Sequence, residues 1–368
     1  SHLSPARQRR LLDAFGDAAG VLTAAEADLL GVEGFTRQHV GMLRRAEREL
    51  DLPALRRQMM THEVSLLPCT APDYPRALRE TADPPPLLFV QGELTSRDEM
   101  AVAIVGTRKC SPYGAQVARR LASDLARRGF TIVSGMAAGI DAEAHRGAVE
   151  AGGRTVAVMA SGPDITYPSS HKELRADIAA HGAVLTEYGF GTQPLRELFP
   201  SRNRIIAGLT LGTLVVEAPL KSGALITAHL AAEYGREVLA VPGSIDSPVS
   251  HGCHDLIKNG ARLVEVAEDV VEGLGIMLEA APVGRPRADI PVSTDEQAVL
   301  EALSFQPRHV DEVIAEHTKW DANFRKKCMK AIERRRLPDD LRCKIVAILD
   351  GAATDAPLLT SHKVLALA

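Results

Sequence analysis

The sequence predicts a doubly wound α/β protein with small flanking domains, and three observations predict it. Apolar runs of four or five residues, such as Ala101 to Val105, recur and end at Gly turns. The stretch from Ala115 to Arg128 has the length and pattern of a crossover helix, stopped by Gly129. Strand and helix patterns then alternate from about residue 95 to 280. Continuously apolar strands suit a parallel sheet buried on both faces, and helical crossovers join such strands.

The first unit runs from Ala101 through Gly106-Thr107-Arg108 and the helix to a second strand, Phe130 to Val133. Ser134 to Gly139 then forms another Gly turn, and a helix starts near Asp141. Each turn lies where a strand ends and a helix begins, so unpaired N–H groups and the positive end of the helix dipole favour an anion. A lone Gly turn can equally be a tight connection. Two in succession, one carrying Arg108, point to phosphate. The usual nucleotide signatures are missing: there is no G-x-x-x-x-G-K-[ST], the first turn is not G-x-G-x-x-G, and no acid follows the second strand to hold a ribose. The expectation is an extended Rossmann-like sheet without NAD, FAD or another cofactor.

Composition sets outer bounds. A chain of 368 residues accommodates two or three domains. With 43 Lys and Arg against 47 Asp and Glu the net charge is −4, so nucleic-acid binding requires a local basic patch. The odd number of cysteines, 5, and the lack of a C-x-x-C pair suit reduced thiols in the cytoplasm and no structural zinc. No apolar run reaches membrane-spanning length, and no secretory leader follows Ser1.

In chain order, residues 1–60 read as short helices broken by Gly16, Gly20, Gly31, Gly34 and Gly41, with capping signals at Thr23-Ala24-Ala25-Glu26 and at Thr36. This module fits protein interaction better than nucleic-acid binding, because its arginines alternate with acids. Residues 61–280 form the main domain. Its lead-in to about residue 100 is Pro-rich, with an added edge strand at Leu87 to Val90. Further strands are expected at Thr155 to Met159, Ala183 to Glu187, Leu214 to Glu217 and Glu237 to Val241. Residues 281–292 are a linker. Residues 293–368 start as a winged-helix-like domain and become unusually basic past residue 318.

Ligands of such sheets sit at the carboxyl ends of the strands. Those ends collect Gly106, Thr107, Arg108, Ser134, Gly135, Ser161, Gly162, Tyr188, Gly189, Glu217, Lys221, Ser222 and Gly223, with Tyr167-Pro168 and Lys172 on the loop after the third parallel strand. No Ser-His-Asp arrangement and no H-E-x-x-H occurs, so no catalytic residue is assigned. A basic stretch with one aromatic holds Arg196, Phe199, Arg202, Asn203 and Arg204. It could track a phosphate backbone and stack a base. It could also be a loop entering a helix, with Arg202 and Arg204 paired to Glu187 or Glu217 inside the fold. Asp141 and His145 stand one helical turn apart, a spacing open to a metal; helix-terminal and structural roles are expected instead.

The stretches 103–108, 133–145, 167–168, 199–208, 221–228 and 241–243 together resemble the DNA-processing protein A (DprA/Smf) family over roughly residues 65–318. The resemblance implies a non-enzymatic protein of natural transformation and recombination. Such a protein binds and protects incoming single-stranded DNA, loads RecA recombinase onto it, and dimerises through the Rossmann-like domain. It places the family's Gly-Ser-Arg turn at Gly106-Thr107-Arg108, with Thr for Ser, and its basic and aromatic DNA contacts at Lys172, Arg196 and Phe199. The family's N-terminal module often resembles a sterile-alpha-motif fold, and its C-terminal domain is usually a winged helix. After Thr318 this chain departs from that pattern. The Gly turns alone also fit nucleotide phosphoribohydrolases, in which Glu217 or Asp141 would be the acid.

Overall fold

Five helices open the chain: α1 (Pro5–Phe15), α2 (Ala18–Thr23), α3 (Glu26–Gly31), α4 (Arg37–Glu49) and α5 (Leu52–Thr61). They come from a computed structural model that describes residue 3 and residues 5–276. The linker and winged-helix-like domain expected at 281–368 lie outside the described residues. Leu11, Val21, Leu29, Phe35 and Val40 form a small core among these helices. Thr36 caps α4 reciprocally with His39, as expected. The capping box expected at Thr23 does not form: its hydroxyl donates back to the Ala19 carbonyl at 2.9 Å, and Ala25 precedes α3 with no side-chain cap. Gly20, Gly31 and Gly41 are absorbed into helices; Gly16 and Gly34 make the turns, with φ of 83° and 79°.

The remaining elements are β1 (Val64–Pro68), α6 (Arg76–Arg79), β2 (Leu87–Gly92), β3 (Ala101–Val105), α7 (Pro112–Arg127), β4 (Thr131–Ser134), α8 (Ile140–Glu150), β5 (Thr155–Val158), α9 (Lys172–His181), β6 (Ala183–Thr186), α10 (Leu198–Gly208), β7 (Gly212–Val215), α11 (Gly223–Glu233), β8 (Glu237–Ala240), α12 (His251–Lys258), β9 (Arg262–Leu263) and α13 (Ala267–Gly273). The sheet order is β1-β2-β6-β5-β4-β3-β7-β8-β9. From β6 to β9 the pairings are parallel. The order reverses between β3 and β7, so the loops leaving those two strands diverge to opposite faces and open a crevice.

The Pro-rich lead-in differs from expectation. It supplies two antiparallel strands, and Leu87–Gly92 is interior, paired to β1 on one side and β6 on the other. The edge is β1, whose Val64 and Leu67 are buried, Leu67 in the main core. Tyr74 locks the intervening loop by donating from its buried hydroxyl to the Pro85 carbonyl at 2.8 Å.

Apolar strands face both ways, as their composition requires. One face packs Ile205, Leu225, Ala228 and Leu256 against Val105, Val133 and Val158. The other packs Val117, Leu121, Leu125 and Ala148 against Val102, Ile104 and Ile132. Helices α7 and α8 touch backbone to side chain: a Cβ on Gly147 would stand 2.2 Å from the Arg119 carbonyl oxygen, so only glycine fits there.

Candidate nucleic-acid interface

The carboxyl ends of β3 to β8 form one rim, and its first surprise is that both anion-ready Gly turns are filled by the protein. Glu217, 3% exposed, lies past the end of β7 and reaches the start of α7. Its carboxylate accepts from the Ser111 N–H at 2.8 Å and from the Ser111 hydroxyl. Its backbone carbonyl accepts from the Thr107 N–H at 2.7 Å. A carboxylate at a helix N-terminus is favourable, so the place where a phosphate would rest after β3 holds Glu217.

The second turn is closed likewise. Asp141 is buried at the start of α8 and accepts from the Ala137 N–H at 3.4 Å. Burial pushes its carboxyl above the usual range, opposed by the charge of Arg202. Arg202, 3% exposed, donates to the carbonyls of Gly135, at 2.9 Å, and Val158. Burial pushes its guanidinium down to about 10. A Cβ on Gly135 would meet the Arg202 guanidinium at 2.5 Å, so that glycine makes room for the buried cation.

The same geometry corrects several expected contacts. Arg202, Asn203, Arg204 and Ser134 are all buried, with their side-chain hydrogen bonds and ion pairs made inside the fold. Arg204 pairs with Asp83 and with Glu187, which is one of the internal pairings open from sequence. Asn203 donates to the Gly223 carbonyl at 3.1 Å, and Ser134 donates to the Ile104 carbonyl at 2.6 Å. Gly135 is walled in by Arg202 and Asp141. These residues brace the rim from within, through bonds from α10 to the ends of β4 and β5 and to the start of α11. His145 is also structural in geometry. Thr155 donates its hydroxyl proton to the Ile132 carbonyl at 2.8 Å, so it accepts from His145 Nδ1 at 2.7 Å. That leaves Nε2 bare and unpartnered, and burial drives the ring pKa down to about 3.

What stays outside includes five cations, with the acids Glu173 and Glu197 beside two of them. Arg108, Lys109, Lys172, Arg196 and Lys221 are exposed. Arg108 lays its guanidinium carbon 4.4 Å from the centroid of Phe199, which joins the β3 loop to the start of α10. Tyr167 meets Phe199 at 5.7 Å, edge to face. Lys172 is tied to the rim through its neighbour His171, whose Nδ1 bonds the Met136 carbonyl at 3.1 Å. Ser222 caps α11, whose first turn carries no acid, and open space lies beside Gly223. Gly106 and Thr107 shape the turn: a Cβ on Gly106 would collide with Ile140, 2.5 Å away. Tyr167 is legible in the sequence as part of the Tyr167-Pro168 stretch, without a ligand role; Lys109 carries no sequence signal beyond adjacency to Arg108.

A cleft opens under the rim, and it is too small for a discrete small molecule. The cleft under Tyr167 and Phe199, floored by Ala137, Met159 and Ala160, holds about 10 Å³; small-molecule sites run to roughly 300 Å³ or more. Among the described residues no helix is long and apolar enough to cross a membrane, and no cluster of three or more His, Cys, Asp or Glu could hold a metal.

Comparison with known proteins accords with this fold. A family model for DNA recombination-mediator protein A matches residues 65–275, and one for the DprA winged helix domain matches 283–323. The chain is 47% identical over 208 residues to protein Smf of Synechocystis, covering 55% of this chain and 52%, about half, of that protein. It is 48% identical over 198 residues to DNA processing protein DprA of Streptococcus pneumoniae, covering 54% of this chain and 70% of that protein. The X-ray structure of the Streptococcus pneumoniae protein is similar with a TM-score of 0.65 and 37% identity, covering 74% of this chain and 93% of that one. DNA processing protein A from Helicobacter pylori, whose structure concerns its single-stranded DNA binding mode, gives 0.52 and 30%, covering 58% and 95%. With more than half of its length matched by that first model, the chain belongs to the DNA recombination-mediator protein A (DprA/Smf) family.

Proposed function

We propose that the chain binds single-stranded DNA along the carboxyl-end rim in natural transformation and recombination, without chemistry of its own. The observation that carries this reading is where the unpaired cations sit. Arg108, Lys109, Lys172, Arg196 and Lys221 occupy rim loops or helix starts, and none is in an ion pair. Elsewhere in the domain many arginines are ion-paired, as in Arg119–Glu150, Arg128–Glu268, Arg154–Asp98 and Arg262–Glu272, while Arg120, Arg175 and Arg236 donate to backbone carbonyls. Cations left unpaired along one edge suit a polyanion, and Arg108 over Phe199 suits phosphate beside base. Delivery of the strand to RecA recombinase, dimerisation and a cytoplasmic setting rest on family membership. Nucleotide phosphoribohydrolysis is disfavoured, because Glu217 and Asp141 are engaged in the fold and the cleft is too small.

If the five rim cations each meet one phosphate, the slope of log affinity against log salt is about −3.5, at about −0.7 per contact. Arg108→Ala flattens it by about 0.7 and weakens a fluorescein-labelled dT oligonucleotide in an anisotropy titration. An unchanged slope and affinity would overturn the reading.

A further inference from the structure

Phe199, the ring expected to stack on a base, is half-buried with Arg108 against it. The open rings lie elsewhere. Among the described residues the exposed Phe, Tyr and Trp side chains are Tyr113, 50% exposed, and Tyr167, 40% exposed. Both stand on the rim, one on each side of Arg108. Tyr167 follows β5 and shares its loop with Lys172. Tyr113 starts α7, and its hydroxyl donates to the Pro242 carbonyl, at the end of β8, at 3.1 Å. Glu217 ties that start of α7 to the loop carrying Lys221.

We infer that Tyr167 and Tyr113 are two base-stacking platforms at either end of the strand's track, which crosses the β3/β7 crevice between them. This deepens the proposed function and rests on it. The order along the rim is ring, cation, ring: Tyr167 with Lys172, then Arg108 and Lys109, then Tyr113 at the end of β8, with Lys221 on the loop between β7 and α11. A ring face takes any base, whereas a cation takes the phosphate between bases, so this interleaving fits a strand read without sequence preference. The strands between β5 and β8 set the span at about 19 Å, at about 4.8 Å per spacing. At the duplex rise of about 3.4 Å per nucleotide that is about six nucleotides, and fewer for a stretched strand. In a duplex the base faces are stacked on one another, so the rings reward single strands alone.

The test uses the full chain with labelled dT12 and an abasic 12-mer of the same charge. Tyr167→Ala and Tyr113→Ala each weaken dT12 by about tenfold, leave the abasic strand at wild-type affinity, and narrow the preference for single strand over duplex. Tyr167→Phe and Tyr113→Phe keep dT12 affinity, because the ring remains when the Pro242 hydrogen bond is lost. Equal losses on dT12 and the abasic strand, or no loss on either, overturn the inference. So does a Phe variant as weak as its Ala counterpart. If the wild-type chain itself does not retain dT12, the single-strand reading falls first, and the Arg108→Ala salt titration reports that separately.

Discussion

Arg202 is a cation sealed under the rim, and removing it tests whether the site is braced from below. In Arg202→Met the stem volume is roughly kept, but Asp141 loses the charge that opposes its desolvation, and the carbonyls of Gly135 and Val158 lose a donor. Asp141 and Arg202 act on each other through charge without a direct ion pair, so the cost of about 3–5 kcal/mol for breaking a buried pair is an upper bound here. An unmet buried carbonyl adds about 1–3 kcal/mol. Asp141 limits the total by taking up a proton, so about 4 kcal/mol at neutral pH is expected, against a typical domain stability of about 5–15 kcal/mol. The pH dependence carries a definite sign. The folded pKa of Asp141 is raised, so its contribution is fully present below the unfolded value and is lost as pH rises through the folded one. Without Arg202 the folded pKa rises further. The deficit of the variant is therefore larger at pH 8 than at pH 5. Urea unfolding of both proteins at the two pH values measures it, and Asp141→Asn added to Arg202→Met recovers part of the loss. A deficit below about 1 kcal/mol, or one independent of pH, would refute the idea that the two buried charges depend on each other.

Two further expectations concern buried acid–base groups. The His145 ring is depressed to about 3, so its contribution is present above the unfolded value near 6.5 and is lost as pH falls toward 3. Between pH 6 and pH 4 the unfolding free energy of His145→Gln should fall less steeply than wild type by about 1.4 kcal/mol per pH unit; parallel slopes in urea melts would show that His145 titrates as in the unfolded chain. Glu217→Gln replaces one accepting oxygen with an N–H₂ opposite the donors of Ser111. It should cost about 1–3 kcal/mol by thermal melting and lower single-strand affinity severalfold by loosening the turn that carries Arg108; undiminished affinity would mean that the turn holds without the carboxylate.

The parallel sheet was legible because its strands are continuously apolar and its turns are glycine, a local pattern. The β1 strand was not, because Val64-Ser65-Leu66-Leu67-Pro68 is short, ends in proline and shows no clean alternation; its partner β2 decides its conformation. At the site, Arg108, Lys172, Arg196 and Phe199 were placed on the rim from strand ends and resemblance. Ser134, Arg202, Asn203 and Arg204 were placed there too, yet the fold turns them inward. Sequence spacing places a residue on α10 but does not say which side of that helix meets the carbonyls of Gly135 and Val158. Nor could it reveal that Glu217, 106 residues from Ser111, fills the start of α7.

That carboxylate has a consequence for selectivity between monomers and polymers. A free mononucleotide depends on one deep socket for its phosphate, and in this sheet the socket after β3 is stoppered by Glu217 while the next is jammed by Asp141 and Arg202. A polymer needs no socket, since it sums many shallow grips along an edge. On the proposed function, these internal plugs would disfavour monomers and leave the crest of the sheet to long strands.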